Sequence, residues 1–157
     1  MFGPSVLADE DCMAMDVHTL MEMSQAQLDD LFTKSAAGPI PDGAAKGTAI
    51  IAPGTVFSPA IAQAINFFAW QGKTFDGPHG VLRNRISVLG LNAIVAEVYK
   101  GPSWYDQKEC IVLDYSKTST VAGWIRDEMR QLEPGTYLGK VYGGEKPLIN
   151  FALQFDK

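Results

Sequence analysis

Cysteine, histidine and basic charge are all scarce in this chain, and each shortage excludes a class of function. The two cysteines, Cys12 and Cys110, are far apart in sequence. A disulfide framework is therefore not expected, and a reducing cytoplasm fits the composition. Cys110, inside an apolar run, reads as a small buried hydrophobe before it reads as a nucleophile. The two histidines, His18 and His79, have no Cys or His partner at metal-ligand spacing, so no metal site is expected. His79 lies in a Gly-Pro turn and is a weak candidate base. Thirteen Lys and Arg against eighteen Asp and Glu leave a formal charge of -5. Nucleic-acid partners are disfavoured, because phosphate neutralisation needs a basic face.

Three further absences narrow the field. No apolar run approaches the roughly 18 residues that span a bilayer, so no membrane span is expected. Met1 to Ala8 carries no Lys or Arg and is followed by Asp9, Glu10 and Asp11, unlike a targeting signal. There is no G-x-x-x-x-G-K-[ST], no strand-borne G-x-G-x-x-G and no G-x-S-x-G. Nucleotide-dependent and α/β-hydrolase chemistry are disfavoured, and no cofactor is expected.

The chain does hold enough apolar material for a core: 157 residues, 46% of them hydrophobic. Fifteen Gly and nine Pro imply many turns and short strands. Residues 1–20 read as an N-terminal arm and 21–157 as one barrel domain. Ser24 with Gln27 has capping-box spacing, and Leu28, Leu31 and Phe32 form a stripe that ends at Gly38-Pro39. Strands are expected over 47–52, 72–76, 81–88, 93–99, 108–116, 136–142 and 148–155, with a hairpin at Gly143-Gly144. Helices are expected from Ser58-Pro59, with Ile61, Ile65, Phe68 and Ala69 on one face, and from Ser119. In the latter, Val121, Trp124, Ile125, Glu128 and Leu132 share a face. The fold expected is mainly β (α+β), an antiparallel, lipocalin-like closed or half-closed barrel of about six or seven strands with two or three short helices. A sheet cone lidded by helices is the alternative. Either encloses one small-ligand cavity.

Four segments carry a family resemblance: Trp70-Gln71-Gly72-Lys73-Thr74-Phe75-Asp76, Arg83-Asn84-Arg85, Asp114-Tyr115-Ser116-Lys117-Thr118-Ser119 and Tyr137-Leu138-Gly139. Through them the chain, over roughly residues 40–155, resembles a family of small bacterial proteins of unassigned function. The W-x-G-K-x-F-D segment is also similar to one in lipocalin-like domains named for a G-x-W-x-G motif, although Phe68 stands where that motif has its first glycine. The resemblance implies a barrel and a small apolar ligand, and carries over no catalytic residue.

The densest chemistry lies between Glu109 and Arg130. Strand alternation puts Cys110, Val112, Asp114 and Ser116 on one face and Ile111, Leu113 and Tyr115 on the other. Asp114 is then either an inward acid, acting as base or hydrogen-bond anchor, or the start of a turn that it caps. Glu128 interrupts an apolar stripe and is a second candidate carboxylate, with Arg85 or Lys73 as possible partner; Arg126, Asp127 and Arg130 read as a solvated helix face. Arg83, Asn84 and Arg85 offer donors. Asn84 shares a face with Leu82 and Ile86, whereas the arginines either pair with acids outside or, if the face is reversed, line the cavity for an acidic ligand. Tyr99, Trp104, Tyr115, Tyr137 and Trp70 are core or rim aromatics that would suit an apolar or aromatic ligand.

Three functions follow from these residues. The first is binding of a small, mostly apolar molecule with a polar end, oriented by Asp114, Asn84 or a tyrosine. The second is a cofactor-independent cyclase, isomerase or dehydratase, in which a cavity carboxylate moves a proton. The third is a scaffold whose N-terminal arm docks a partner or a second copy as a homodimer. Whether there is catalysis is open at the level of sequence.

Overall fold

The computed structural model describes residues 16–56, 58–62, 65, 73–86, 91–118 and 123–156, without the side chains of 84–86 and 91–94. Eight antiparallel strands run in sequence order and close on themselves into a barrel. They are β1 (Gly43–Ile50), β2 (Lys73–Asp76), β3 (Val81–Ile86), β4 (Leu91–Pro102), β5 (Glu109–Asp114), β6 (Ile125–Glu133), β7 (Thr136–Gly143) and β8 (Lys146–Phe155). Closure is made by β1 against β8, with Ala45 opposite Phe155 and Ile50 opposite Asn150. It removes both open edges, which would otherwise present unpaired backbone groups.

The strand count exceeds the six or seven expected because the helix expected from Ser119 is, over the described residues, the strand β6. Trp124, Ile125, Glu128 and Leu132 fall at helical spacing, but Ile125, Asp127 and Met129 also alternate, and pairing with β5 and β7 decides between the two. The alternation is disguised because both faces of β6 are buried: Asp127, Glu128, Met129 and Arg130 are all buried. β1 also begins earlier than the strand expected at 47–52. Ala44, Ala45 and Lys46 are poor strand formers, held extended by pairing of Ala44 with β2, Lys46 with β8 and Ala45 with both.

The interior and the outer wall hold separate clusters. Inside lie Phe75, Leu82, Ala96, Val98, Ile111, Leu113, Tyr115, Ile125, Met129, Tyr137, Val141, Ile149, Phe151 and Leu153. Outside, Ile50, Cys110, Val112, Leu138 and Ala152 are covered by two helices, α1 (Val17–Met21) and α2 (Gln25–Lys34), through Leu20, Leu28 and Phe32. Each of those three is fully buried, a contribution of about 2 kcal/mol per side chain. The expected capping box starts α2: the Ser24 hydroxyl accepts from the Gln27 amide, and the Gln27 side chain accepts from the Ser24 amide. Residues 59–62 are helical beneath a Ser58 cap, whose hydroxyl accepts from the Ile61 amide.

One end of the barrel is crossed by the segment after α2. The Gln131 amide donates to the carbonyls of Ala36 and Ala37, and the Tyr137 hydroxyl to that of Pro39 at 2.8 Å. Gly38 has φ +72, and a Cβ there would lie 2.6 Å from that of Gln131, so only glycine lets the backbones approach. Ala37 and Ile40 are thereby set against the interior cluster. The N-terminal arm expected over 1–20 is described only from Asp16, where Val17 and Leu20 pack on the outer wall. Among the described residues no helix is long and apolar enough to cross a membrane.

Candidate functional site

A lysine, a tyrosine and an aspartate meet inside the barrel. β2 alternates Lys73 and Phe75 inward, and β6 alternates Ile125, Asp127 and Met129. Tyr115 continues the inward row of Ile111 and Leu113 just past the end of β5. The Lys73 Nζ donates to the Tyr115 hydroxyl at 3.1 Å and lies 3.9 Å from Asp127 Oδ2. The Tyr115 hydroxyl in turn faces the same carboxylate oxygen at 3.5 Å. The second oxygen, Asp127 Oδ1, is buried and has no hydrogen-bond partner in the structure. An unsatisfied carboxylate oxygen in an apolar interior costs several times what a neutral hydrogen bond contributes.

Burial dominates the electrostatics of Asp127 and Lys73. Desolvation raises the Asp127 carboxyl to about 7, against the attraction of Lys73 and the Tyr115 hydrogen bond; Glu128 adds to the rise. Desolvation likewise lowers the Lys73 ammonium to about 8, against the pull of Asp127. The two groups titrate as a pair. Together with the phenol they can hold an oxygen-bearing group by donation and acceptance, and can give or take a proton.

The candidates read from sequence are dispersed about this centre. Tyr115 belongs to it. Tyr137 is also interior, but at the end where it binds Pro39. Asp114 does not project into the interior, because the inward row of β5 is Ile111 and Leu113, with Cys110 and Val112 on the outer wall. It is half-buried, accepts from the Tyr99 hydroxyl at 2.8 Å, and closes a turn by accepting from the Ser116 amide and hydroxyl. Burial works to raise its carboxyl, but the Ser116 bonds, Tyr99 and Arg126 outweigh it and hold the value below normal. Tyr99 and Trp104 are partly exposed, and Trp104 and Asp114 line an outer cleft of about 350 Å³ with Trp124, Arg126 and Glu145.

Glu128 is fully buried, yet on the outer wall. It accepts from the Ser103 hydroxyl at 2.6 Å, the Trp104 amide at 2.8 Å and the Arg126 guanidinium at 3.0 Å, which ties the β4–β5 loop down. Neither Arg85 nor Lys73 is the partner of Glu128 in that set. Arg83 is exposed. Asn84 pairs with Lys73 through the β2–β3 ladder, and the side chains of Asn84 and Arg85 lie outside the described residues, as does Trp70. Cys110 is buried under the helices, where desolvation and the nearby Glu128 push its thiol up to about 12, too high for a useful thiolate. No group of three or more His, Cys, Asp or Glu able to hold a metal occurs among the described residues.

Lys73 and Asp127 are the residues that sequence reading missed. The signal was present: Asp127 alternates with Ile125 and Met129, the pattern of an acid in line with apolar strand residues. It is visible only once 125–133 is read as a strand. Among known proteins, no family model matches the chain, and no curated protein matches it either. A protein from Thermomonospora curvata has a crystal structure similar to this one, with a TM-score of 0.61 over 98% of this chain and 97% of that one. The two are 16% identical in sequence, so the likeness is one of fold.

Proposed function

We propose that the barrel binds one small, mostly apolar molecule whose polar end is held by Asp127, Lys73 and Tyr115. The observation that carries this reading is the unpartnered Asp127 Oδ1, buried among the apolar side chains of the interior. A ligand hydroxyl or amine would supply the missing donor, while the Lys73 ammonium and the phenol would accommodate an oxygen acceptor. An eight-stranded barrel is wide enough for either packed side chains or one small ligand, and the inner positions Ala45, Gly47 and Ala49 of β1 contribute little bulk. The test is native mass spectrometry of the full chain isolated from its own host. Wild type is expected to carry a small molecule that Lys73→Met/Asp127→Leu lacks, while Asp114→Asn keeps it. A wild-type protein without any retained molecule, also unable to take up apolar alcohols, would refute the reading.

The near-neutral values of Asp127 and Lys73 favour a second reading, a cofactor-independent isomerase, cyclase or dehydratase. Asp127 would move the proton and Tyr115 polarise a carbonyl. Exchange of the α-protons of a bound apolar ketone into heavy water, followed by NMR, tests it. Exchange that survives Asp127→Asn in the folded protein excludes that role.

A further inference from the structure

A lysine inside a barrel is not explained by stability. The desolvation of a buried ion pair commonly exceeds the attraction within it, and apolar residues of equal volume are often no less stable. Lys73 is 2% exposed, and Asp127 is fully buried. Their separation of 3.9 Å is long for a pair whose role is to neutralise charge. On the outer wall, Arg130 and Glu128 are both surrounded by short hydrogen bonds that fasten loops. Among the described lysines, Lys73 alone lies on the inner face; Lys140 is tied to Asp29 outside, and Lys34, Lys46, Lys100, Lys108, Lys117 and Lys146 are exposed.

From this placement we infer that Lys73 captures an apolar aldehyde covalently as an imine, with Asp127 as the proton carrier and Tyr115 as the donor to the carbonyl oxygen. The inference rests on the reading that the interior takes a ligand, and it names the ligand's class. In the first step the Lys73 Nζ lone pair forms a bond to the carbonyl carbon, and the carbonyl π pair moves to oxygen. That oxygen, held by a hydrogen bond from Tyr115, takes the proton of the Asp127 carboxylic acid, and the positively charged nitrogen returns one to the resulting Asp127 carboxylate. In the second step the carbinolamine hydroxyl takes the proton back from Asp127 and leaves as water while the nitrogen lone pair forms the C=N bond. The iminium N–H then passes its proton to the Asp127 carboxylate, which restores the acid. Aldehyde and amine give imine and water, without net oxidation or reduction. The unpartnered Asp127 Oδ1 supplies the second carboxylate position that a proton carrier needs. The lowered Lys73 value means an appreciable neutral fraction at physiological pH, as amine attack requires.

The test treats the full chain with decanal and sodium cyanoborohydride near neutral pH, followed by intact mass and peptide mapping; 1-decanol binding is measured in parallel by native mass spectrometry. Cyanoborohydride delivers hydride to the imine and fixes it as a secondary amine. Lys73 is expected to be alkylated on the order of a hundredfold faster than any exposed lysine, because far more of it is neutral. Labelling should be lost in Lys73→Met, slowed in Asp127→Asn and unchanged in Lys100→Met, with tryptophan emission reporting that each variant is folded. If Lys73→Met does not fold, the peptide map of wild type decides by itself. Decanol binding without a Lys73 adduct, or adducts spread evenly over exposed lysines, would overturn the imine and leave the binding reading standing. Failure of both decanol and decanal to enter would overturn both.

Discussion

Replacing the interior pair with apolar side chains, Lys73→Met together with Asp127→Leu, should change the pH dependence of stability in a way no surface substitution can imitate. In the folded wild type the Asp127 carboxyl is raised from 3.8 to about 7, so between those values the folded state binds more protons than the unfolded. Stability is therefore lost as pH rises through that window. The Lys73 ammonium is lowered from 10.5 to about 8, so between those values the unfolded state binds more protons, and stability is regained as pH rises. At about 1.4 kcal/mol for each pH unit separating folded and unfolded values, the first window is worth on the order of 4 kcal/mol and the second on the order of 3 kcal/mol. The double variant has neither titration. Its stability minus that of wild type should rise from acid pH, peak between about 7 and 8, and fall again toward pH 10.5.

Urea unfolding at a series of pH values, followed by the emission of the three tryptophans, measures that difference directly. Taking the difference cancels every other titrating group that the two proteins share. A flat profile would mean that Lys73 and Asp127 titrate in the fold as they do in water, so the site would not be dry. An inverted profile, with wild type most favoured near neutrality, would mean that attraction within the pair exceeds its desolvation. Either result removes the physical basis of the proposed site.

Three other perturbations address the frame around it. Arg130, 1% exposed, donates to both Asp106 oxygens at 2.7 Å and to the carbonyls of Phe32, Lys108 and Glu109. Arg130→Met should cost about 3–5 kcal/mol in urea unfolding, and Arg130→Lys should recover little, because an ammonium cannot span that fork. At Gly139 a Cβ would lie 2.0 Å from the Phe151 ring, so Gly139→Ala should cost about 1–3 kcal/mol, part of it recovered in Gly139→Ala/Phe151→Leu as a measurable coupling in a double-mutant cycle. Asp114→Asn should change stability by less than about 1 kcal/mol and leave any retained small molecule in place, since its partners Tyr99 and Ser116 sit at the surface.

What could be read from sequence depended on whether local pattern and tertiary burial agreed. The start of α2 was legible to the residue because Ser24, Gln27 and the Leu28–Phe32 stripe lie close together in sequence, whereas its end is at Lys34 and not at Gly38-Pro39. β7 and β8 were legible because Gly143-Gly144 punctuates two apolar-rich runs, the second of which alternates. β6 was not, since the alternation signal assumes one wet face, and here Glu128 and Arg130 are covered by the 103–108 loop and by α2. Mistaking that strand for a helix had one consequence for the site: it assigned Asp127 to solvent. The same rule, an acid in line with apolar neighbours, pointed instead to Asp114, whose neighbours Cys110 and Val112 are apolar because helices cover the outside of the wall. Lys73, on a strand of four residues, had too little flanking alternation to reveal its face.

The barrel thus carries buried charge on both sides of one wall, and the partners distinguish the two sets. On the outer wall Arg130, Glu128 and Lys140 meet carboxylates, carbonyls or amides from α2 and the 103–108 loop, and each set of contacts joins a peripheral segment to the sheet. Removing one would release a loop, which is a sufficient reason for a charge to be there. Inside, Lys73 and Asp127 stand on strands fixed in register by their ladders, and Tyr115 directly follows β5. Their one common property is that they place an amine, a phenol and an under-partnered carboxylate within 3.9 Å of one another in an apolar interior. A buried carboxylate oxygen without a donor is the one polar atom here that a bound molecule would satisfy, and for that reason the proposed site is this trio and not the better-bonded acids outside.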